Sequence, residues 1–218
     1  MTYFRSAFSL ARWTLLAMAF LTSAALGAPA APTQTPQVQS AADPRHVVEH
    51  FHDTLIRAMH KGGKAAFDTR YAMLDPVIRR TFDLPYIGRA VLGPYWSKLN
   101  PEQQKTFLEH LARNTVATYA GRFNLYSGER FATLNEQTLQ PNLRVVDTQL
   151  AESGGKTHRF SYLLRRTTEG WQVVNVLVDR ISNIAVQRSE YTAILRDKGF
   201  DGLIARLDAM TKSMRESS

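Results

Sequence analysis

The residues with the clearest catalytic spacing are His46, Glu49 and His50, in the string His46-Val47-Val48-Glu49-His50. Two histidines one helical turn apart can bind zinc while the glutamate acts as a general base. Such an enzyme also needs a third ligand, and this string falls in the first turns of the predicted domain, where solvated polar residues are common. A zinc hydrolase is therefore an alternative rather than the leading hypothesis, and we expect no bound metal and no cofactor.

Other catalytic and nucleotide-binding signatures are missing from the sequence. The chain contains no cysteine, which excludes disulfides, thiolate nucleophiles and cysteine zinc sites. It lacks the G-x-S-x-G string of serine hydrolases and both glycine-rich phosphate-binding strings. Asp147, Asp179 and Glu190 could act as acid and base, but exposed carboxylates at element ends are far commoner. These absences favour a protein that catalyses no reaction.

Aromatic and aliphatic bulk is more prominent than any catalytic motif. A filled core is one interpretation, and an apolar cavity is the other, since burying each methylene of an acyl chain is worth about 0.8 kcal/mol. The residues that we predict to contact such a ligand are Leu92, Trp96, Phe107, Leu111, Tyr119, Phe160, Tyr162, Leu164, Trp171, Val173, Val176, Val178 and Ile181. Arg89, Arg180 and Arg188 are predicted to contact a headgroup or a docking partner, with a solvated surface as the equal alternative.

The elements that must position these residues follow from periodicity and from turn residues. The predicted helices run from Asp43-Pro44 to Gly62-Gly63, from Lys64 to about Met73, over a short stretch after Asp75-Pro76, from Asp83 through Val91, and from Asn100-Pro101 to about Phe123. The predicted strands span 130–140, 143–151, 157–167 and 170–179, and two last helices span 184–196 and 201–214. Because turns this short join antiparallel strands, we predict an α+β fold: N-terminal helices, a twisted antiparallel sheet of about four strands, and C-terminal helices, enclosing an apolar cavity.

The N-terminal residues are typical of an export signal. Arg5 and Arg12 precede or flank the uncharged apolar run Trp13 to Leu21, and small residues lead to a cleavage site near Ala28. We predict a signal peptide over 1–27, a flexible Ala/Pro/Gln leader over 28–43 and one folded domain over 44–218; an uncleaved anchor is the alternative. The net charge of +8 attracts acidic partners of several kinds, and export makes nucleic acid the least expected of them.

Several motifs from Phe82 onward resemble those of one protein family. The segment from Phe82 to Trp96, FDLPYIGRAVLGPYW, precedes a capped PEQQ helix, and it is followed by YAGR at 119–122, YSGE at 126–129 and GWQVVNV at 170–176. This order resembles the MlaC family, also known as the toluene-tolerance or Ttg2D family, from about Asp75 to Leu207. The string RSEY at 188–191 is similar to the hopanoid-associated branch, HpnM. Asn175 replaces the usual aspartate, and Asp179-Arg180 replaces the usual glycine-containing turn.

The resemblance implies a fold, a location and partners. The fold would be NTF2-like, with acyl chains held between a curved sheet and the helices. The protein would be a periplasmic shuttle for phospholipid, or for a hopanoid-like lipid, between an outer-membrane lipoprotein complex and the MCE-domain subunit of an inner-membrane ABC transporter. A lipid carrier that is not an enzyme is thus the leading hypothesis. The zinc hydrolase and a non-catalytic envelope interaction module are the alternatives.

Overall fold

The computed structural model describes residues 43–63 and 66–217. The predicted signal peptide, and the predicted leader up to residue 42, lie outside the described residues. The helices are α1 Pro44–Met59, α2 Phe67–Thr81, α3 Leu84–Leu92, α4 Pro101–Arg122 and α5 Asn183–Glu216, with a 3₁₀ helix over Gly93–Lys98. The strands are β1 Arg130–Gln140, β2 Leu143–Ala151, β3 Thr157–Thr167, β4 Gly170–Val178 and β5 Ile181–Ser182. The predicted α+β class is confirmed.

The five strands form one antiparallel sheet in the order of the sequence, β1-β2-β3-β4-β5. The short strand β5 was not predicted, and it follows a two-residue turn in which Asp179 and Arg180 both have positive φ, 48° and 73°. Such turns match the right-handed twist of a hairpin but usually carry Asn-Gly or Asp-Gly. At the other edge of the sheet, the pairing of β1 with β2 shifts register twice. Leu134 and Leu139 are the two residues of β1 that have no paired residue in β2.

A bulge in β4 decides which of its side chains face the helices. Tyr162 pairs with Val176, but Leu164 pairs with Val173, so the ladder shifts by one residue between these pairs. Strict alternation would place Val173 and Val176 on opposite faces, whereas the bulge places both on the face that packs against the helices. The segment before α3 is hydrogen-bonded to β4 at this bulge: the backbone N–H of Asp83 donates to the carbonyl of Val173 at 3.0 Å.

Side-chain caps fix where the helices that surround this face begin. Asn100 accepts from the backbone N–H of Gln103 at 2.9 Å, and the Gln103 side chain accepts from the N–H of Asn100, which completes a capping box for α4. Asp83 caps α3 through the N–H of Tyr86, and Ser182 caps α5. Near its middle, α5 kinks at Gly199, with φ 69° and ψ −169°, a conformation available almost only to glycine.

The predicted helix boundary at Asp75-Pro76 is wrong. The helix α2 continues through Pro76 to Thr81. Proline removes one helical hydrogen bond and disfavours the helical conformation of the residue before it. Here Leu74 and Ile78, on either side of the proline, are both fully buried, and the burial of two such side chains, about 1.5–3 kcal/mol each, offsets that loss.

Two hydrophobic clusters hold the elements together. The larger lies between the sheet and α1, α2 and α4, around Phe51, Leu74 and Tyr162. The smaller lies among α3, α4 and α5, around Phe107 and Tyr191. α4 contributes to both, so it is the central helix of the domain. In the part of the chain that the structure describes, no helix is both long enough and apolar enough to cross a bilayer.

Candidate functional site

A cavity of about 640 Å³ lies between the second half of α4, the start of α5 and the sheet. This volume is within the range of small-molecule sites, about 300–1,000 Å³. The apolar part of its wall consists of Met59, Phe82, Leu84, Ile87, Tyr119, Phe123, Leu125, Leu150, Phe160, Val176, Val178 and Ile184. The cavity is therefore suited to a ligand with substantial hydrocarbon surface.

Most of the polar residues of the wall are partly or fully exposed, whereas Asn114 is buried. The exposed and partly exposed ones include Thr115, Thr118, Arg122, Asn124, Ser127, Glu129, Glu152, His158, Asn183 and Gln187. His158 lies 3.3 Å from Glu152 through Nε2 and 3.0 Å from Asp179 through Nδ1. The hydrogen bond with His158 is the main cause that lowers the pKa of Asp179 below its ordinary value. These contacts hold the turn after β4 against the start of β3.

Asn175 positions the start of α5 beside the cavity. Its Nδ2 donates to the hydroxyl of Ser182 at 3.0 Å, and its Oδ1 accepts from the backbone N–H of Ile184 at 3.4 Å. Ser182 is itself the N-cap of α5, so the amide uses both of its functions at one helix terminus. A carboxylate at this position could accept these bonds but could not donate one. The Nδ2 bond to Ser182 is therefore one that asparagine can make and aspartate cannot.

The structure distributes the predicted lipid-contact residues over several places. Tyr119, Phe160, Val176 and Val178 line the cavity. Tyr162, Leu164, Trp171 and Val173 are buried in the larger cluster, and Leu92, Phe107 and Leu111 are buried in the smaller one. Trp96 borders a second cavity, and Ile181 is 62% exposed.

The second cavity, of about 820 Å³, lies between the first half of α4, α3 and the turn between β3 and β4. More charged side chains line it than line the first cavity, among them Arg79, Lys105 and an ion pair between Asp83 and Arg165. Phe82 and Leu84 border both cavities. These two side chains therefore form a common wall.

The three predicted docking arginines are divided between the last turn of α3 and the turn between β4 and β5. Arg89 is exposed on α3, and Arg180 is exposed in the turn between β4 and β5. Arg188 donates from Nε to the carbonyl of Ala90 at 2.8 Å, which links α5 to the last turn of α3. Each of the three lies one or two positions from a residue of the first cavity, Ile87, Val178 or Gln187.

Several cavity residues were not predicted from the sequence. Leu150 pairs with His158 in the antiparallel ladder, on the same face as Phe160, so strand alternation could have identified it. Phe82 belongs to the FDL motif and could have been found there. Leu125 follows the end of α4 in irregular backbone, and no periodic signal marks it.

The geometry gives no support to the zinc hydrolase. His46 and His50 are exposed on α1, and Glu49 accepts from the hydroxyl of Thr133 at 2.8 Å. Within residues 43–63 and 66–217, no three His, Asp or Glu side chains are grouped so that they could hold a metal ion. The third ligand that such a site requires is not among these side chains.

Comparison with known proteins finds a solved structure of the same fold and a family match. A phospholipid-binding protein from Ralstonia solanacearum, whose structure was solved in complex with a phospholipid, superposes with a TM-score of 0.68 at 18% sequence identity. The match covers 79% of this chain and 99% of that one, which shows a shared fold. The family model described as MlaC protein matches residues 49–209. This range includes most of the helices and the whole sheet, and on this match the chain belongs to the MlaC family.

Proposed function

We propose that the first cavity binds the acyl chains of a phospholipid, or of a related hopanoid-like lipid, and that the protein carries this lipid without catalysing a reaction. The observation that carries the proposal is the cavity itself, with an apolar wall and a polar, solvent-facing side. The Ralstonia protein of the same fold, bound to a phospholipid, supports this choice of ligand. Among the predicted contacts, the proposed acyl-chain residues are Tyr119, Phe160, Val176 and Val178.

The apolar part of the wall suits such a ligand. The Tyr119 hydroxyl is neutral at physiological pH, and burial raises its pKa further above the ordinary value. Each acyl methylene that leaves water contributes about 0.8 kcal/mol, and ten of them contribute about 8 kcal/mol before the cost of ordering the chain. A cavity of this type therefore binds hydrocarbon without any charged contact.

We assign the headgroup to the polar side of the cavity. Arg122 is exposed there, and Asn124, Ser127 and Asn183 supply neutral donors and acceptors. A guanidinium and amide N–H groups suit phosphate oxygens, because hydrogen bonds to an ionised acceptor are roughly twice as strong as neutral ones.

We further propose that the carrier works in the periplasm. Its partners there would be an outer-membrane lipoprotein complex and the MCE-domain subunit of an inner-membrane ABC transporter. The predicted export signal and membership of the MlaC family support this location and these partners. No nucleic-acid partner is proposed.

Filling the cavity is expected to remove bound lipid. Val178→Trp places an indole in the apolar wall, whereas Leu177→Trp places the same group on the neighbouring residue of β4, which points to the other sheet face and does not line the cavity. Mass spectrometry of the proteins under native conditions should show diacyl lipid on the wild type and on Leu177→Trp, and at least about tenfold less on Val178→Trp.

The same measurement separates the alternatives. Zinc at one ion per chain would support the hydrolase. A wild-type protein that carries neither lipid nor zinc, including after incubation with phospholipid vesicles, would support the interaction module and refute the carrier.

A further inference from the structure

Exposed aliphatic side chains concentrate at the mouth of the first cavity. Among the described residues, five large hydrophobic side chains are strongly exposed, and three of them are Leu125 at 62%, Ile181 at 62% and Val186 at 52%. The other two, Leu134 and Leu139, lie on the edge strand β1. Isolated exposed leucines are ordinary on protein surfaces, but a group beside one opening needs an explanation.

The backbone geometry places these three side chains at the mouth. Leu125 is part of the cavity wall. Ile181 pairs with Val178, so both side chains lie on the same sheet face, and Val178 is also in the wall. Val186 follows the wall residue Asn183 by three positions on α5, which places it on the same side of that helix. We call Leu125, Ile181 and Val186 the mouth rim.

Basic side chains accompany the mouth rim at the same end of the sheet. Arg130, Lys156, Arg159 and Arg180 are all exposed at this end, where the start of β1, the end of β2 and the start of β3 are in register. Arg159 alternates with the cavity residues His158 and Phe160, and Arg130 shares its face, so both lie on the sheet face away from the cavity. None of these four forms a salt bridge with a residue that the structure describes.

The acidic groups of this region are engaged locally. Glu129 accepts from the backbone N–H and the hydroxyl of Ser127 at 2.6 and 2.7 Å. Glu152 and Asp179 both contact His158. The side chains of Glu152 and Asp179 are still 40% and 52% exposed, and the charge of Lys156 helps to lower the pKa of Asp179. Arg130, Arg159 and Arg180 are the basic side chains of this end that contact no carboxylate of the described residues.

We propose that the mouth rim docks on the surface of an anionic lipid bilayer. The proposal rests on the lipid-carrying function above and adds the surface on which lipid is exchanged. Aliphatic side chains next to basic ones suit the boundary between acyl chains and anionic headgroups. The net charge, which falls from +8 to +6 once Arg5 and Arg12 of the predicted signal peptide are removed, favours approach to it. With the mouth rim inserted, the polar side of the cavity lies among the headgroups, so an acyl chain has a short path from the bilayer to the apolar wall.

Vesicle binding tests the docking surface. The full-length chain, as the expressing cell processes it, is sedimented with vesicles of phosphatidylethanolamine and phosphatidylglycerol, and with vesicles of phosphatidylcholine alone. Wild type should bind the anionic vesicles, and the double variant I181S/V186S should bind them about tenfold more weakly. R159Q/R180Q should lose a similar factor at low salt and little at high salt. L134S/L139S is the matched control, since it removes the same kind of exposed side chain from β1.

The outcomes are distinguishable from a failure of the carrier function. The docking proposal is refuted if the wild type does not bind anionic vesicles, or if the control loses as much binding as I181S/V186S. Native mass spectrometry on the same samples reports whether lipid is bound, and thermal unfolding reports whether the variant is folded. A folded I181S/V186S protein that retains lipid but has lost vesicle binding supports the proposal and leaves the cavity's function intact.

Discussion

Acidification from about pH 6.5 to about pH 4.5 is expected to lower the free energy of unfolding by about 2 kcal/mol through His52 alone. His52 is 3% exposed, its ring stacks on Phe131 at a centroid distance of 3.8 Å, and its Nε2 is hydrogen-bonded to the hydroxyl of Tyr162 at 3.0 Å. Burial lowers its pKa from 6.5 to about 3. Between these values the unfolded chain binds a proton at His52 and the folded protein does not, so stability falls as the pH falls through this window.

Urea unfolding at several pH values measures this effect, and His52→Phe isolates it. Phenylalanine can keep the stacking on Phe131 but cannot titrate. It leaves the Tyr162 hydroxyl without its partner, at a cost of about 1–3 kcal/mol that does not depend on pH in this range. Contributions from other titrating groups cancel in the difference between the two proteins. If the unfolding free energies of both run parallel from pH 6.5 down to 4.5, His52 is not the acid-sensitive group.

Replacement of Arg70 by methionine is expected to lower the free energy of unfolding by about 3 kcal/mol. Arg70 is fully buried. Its Nε donates to the carbonyl of Ala120 at 2.9 Å and its Nη1 to the carbonyl of Gly63 at 2.6 Å. Ala120 lies in the last turn of α4, where carbonyls have no partner within the helix. Methionine keeps much of the side-chain volume but donates no hydrogen bond, so the Ala120 carbonyl loses its buried donor. The exposed Gly63 carbonyl keeps the backbone N–H of Ala66 at 3.2 Å.

Arg79→Met is the matched control on the same helix. Arg79 forms ion pairs with Asp75 and Glu109, yet it is exposed, and exposed pairs contribute about 0–1 kcal/mol. Among the described residues Arg70 has no carboxylate partner, so a count of ion pairs would rank the two variants in the opposite order. Equal losses in chemical unfolding would show that burial of the Arg70 guanidinium does not set its contribution.

The sequence was most informative where local chemistry determines structure. The predicted helix start at Asn100-Pro101 and the predicted break between 196 and 201 correspond to a capped helix start and to the kink at Gly199. The prediction failed at Pro76. Proline disfavours a helix through local contacts, whereas the packing of Leu74 and Ile78 depends on residues of other elements. The prediction missed β5, because the turn before it uses Asp179 and Arg180 in place of the residues that usually adopt positive φ.

The cavity was harder to predict than the elements around it. A residue such as Tyr162 and a residue such as Phe160 share one strand face and one chemical character. The first is 1% exposed and packs in the core, whereas the second lines the open space. The difference depends on how closely α4 and α5 approach each part of the sheet. That spacing is a property of the assembled domain, and one strand's pattern does not encode it.

The two register shifts in β1 have a consequence for self-association. An edge strand offers unpaired backbone groups to a second copy of the chain, and long regular edges are sites where fibrils grow. Here the strand is interrupted at Leu134 and again at Leu139, so an incoming strand meets a straight template of only a few residues. Irregularity at this edge, where two leucines face solvent, thus opposes the extension of the sheet from one molecule to the next.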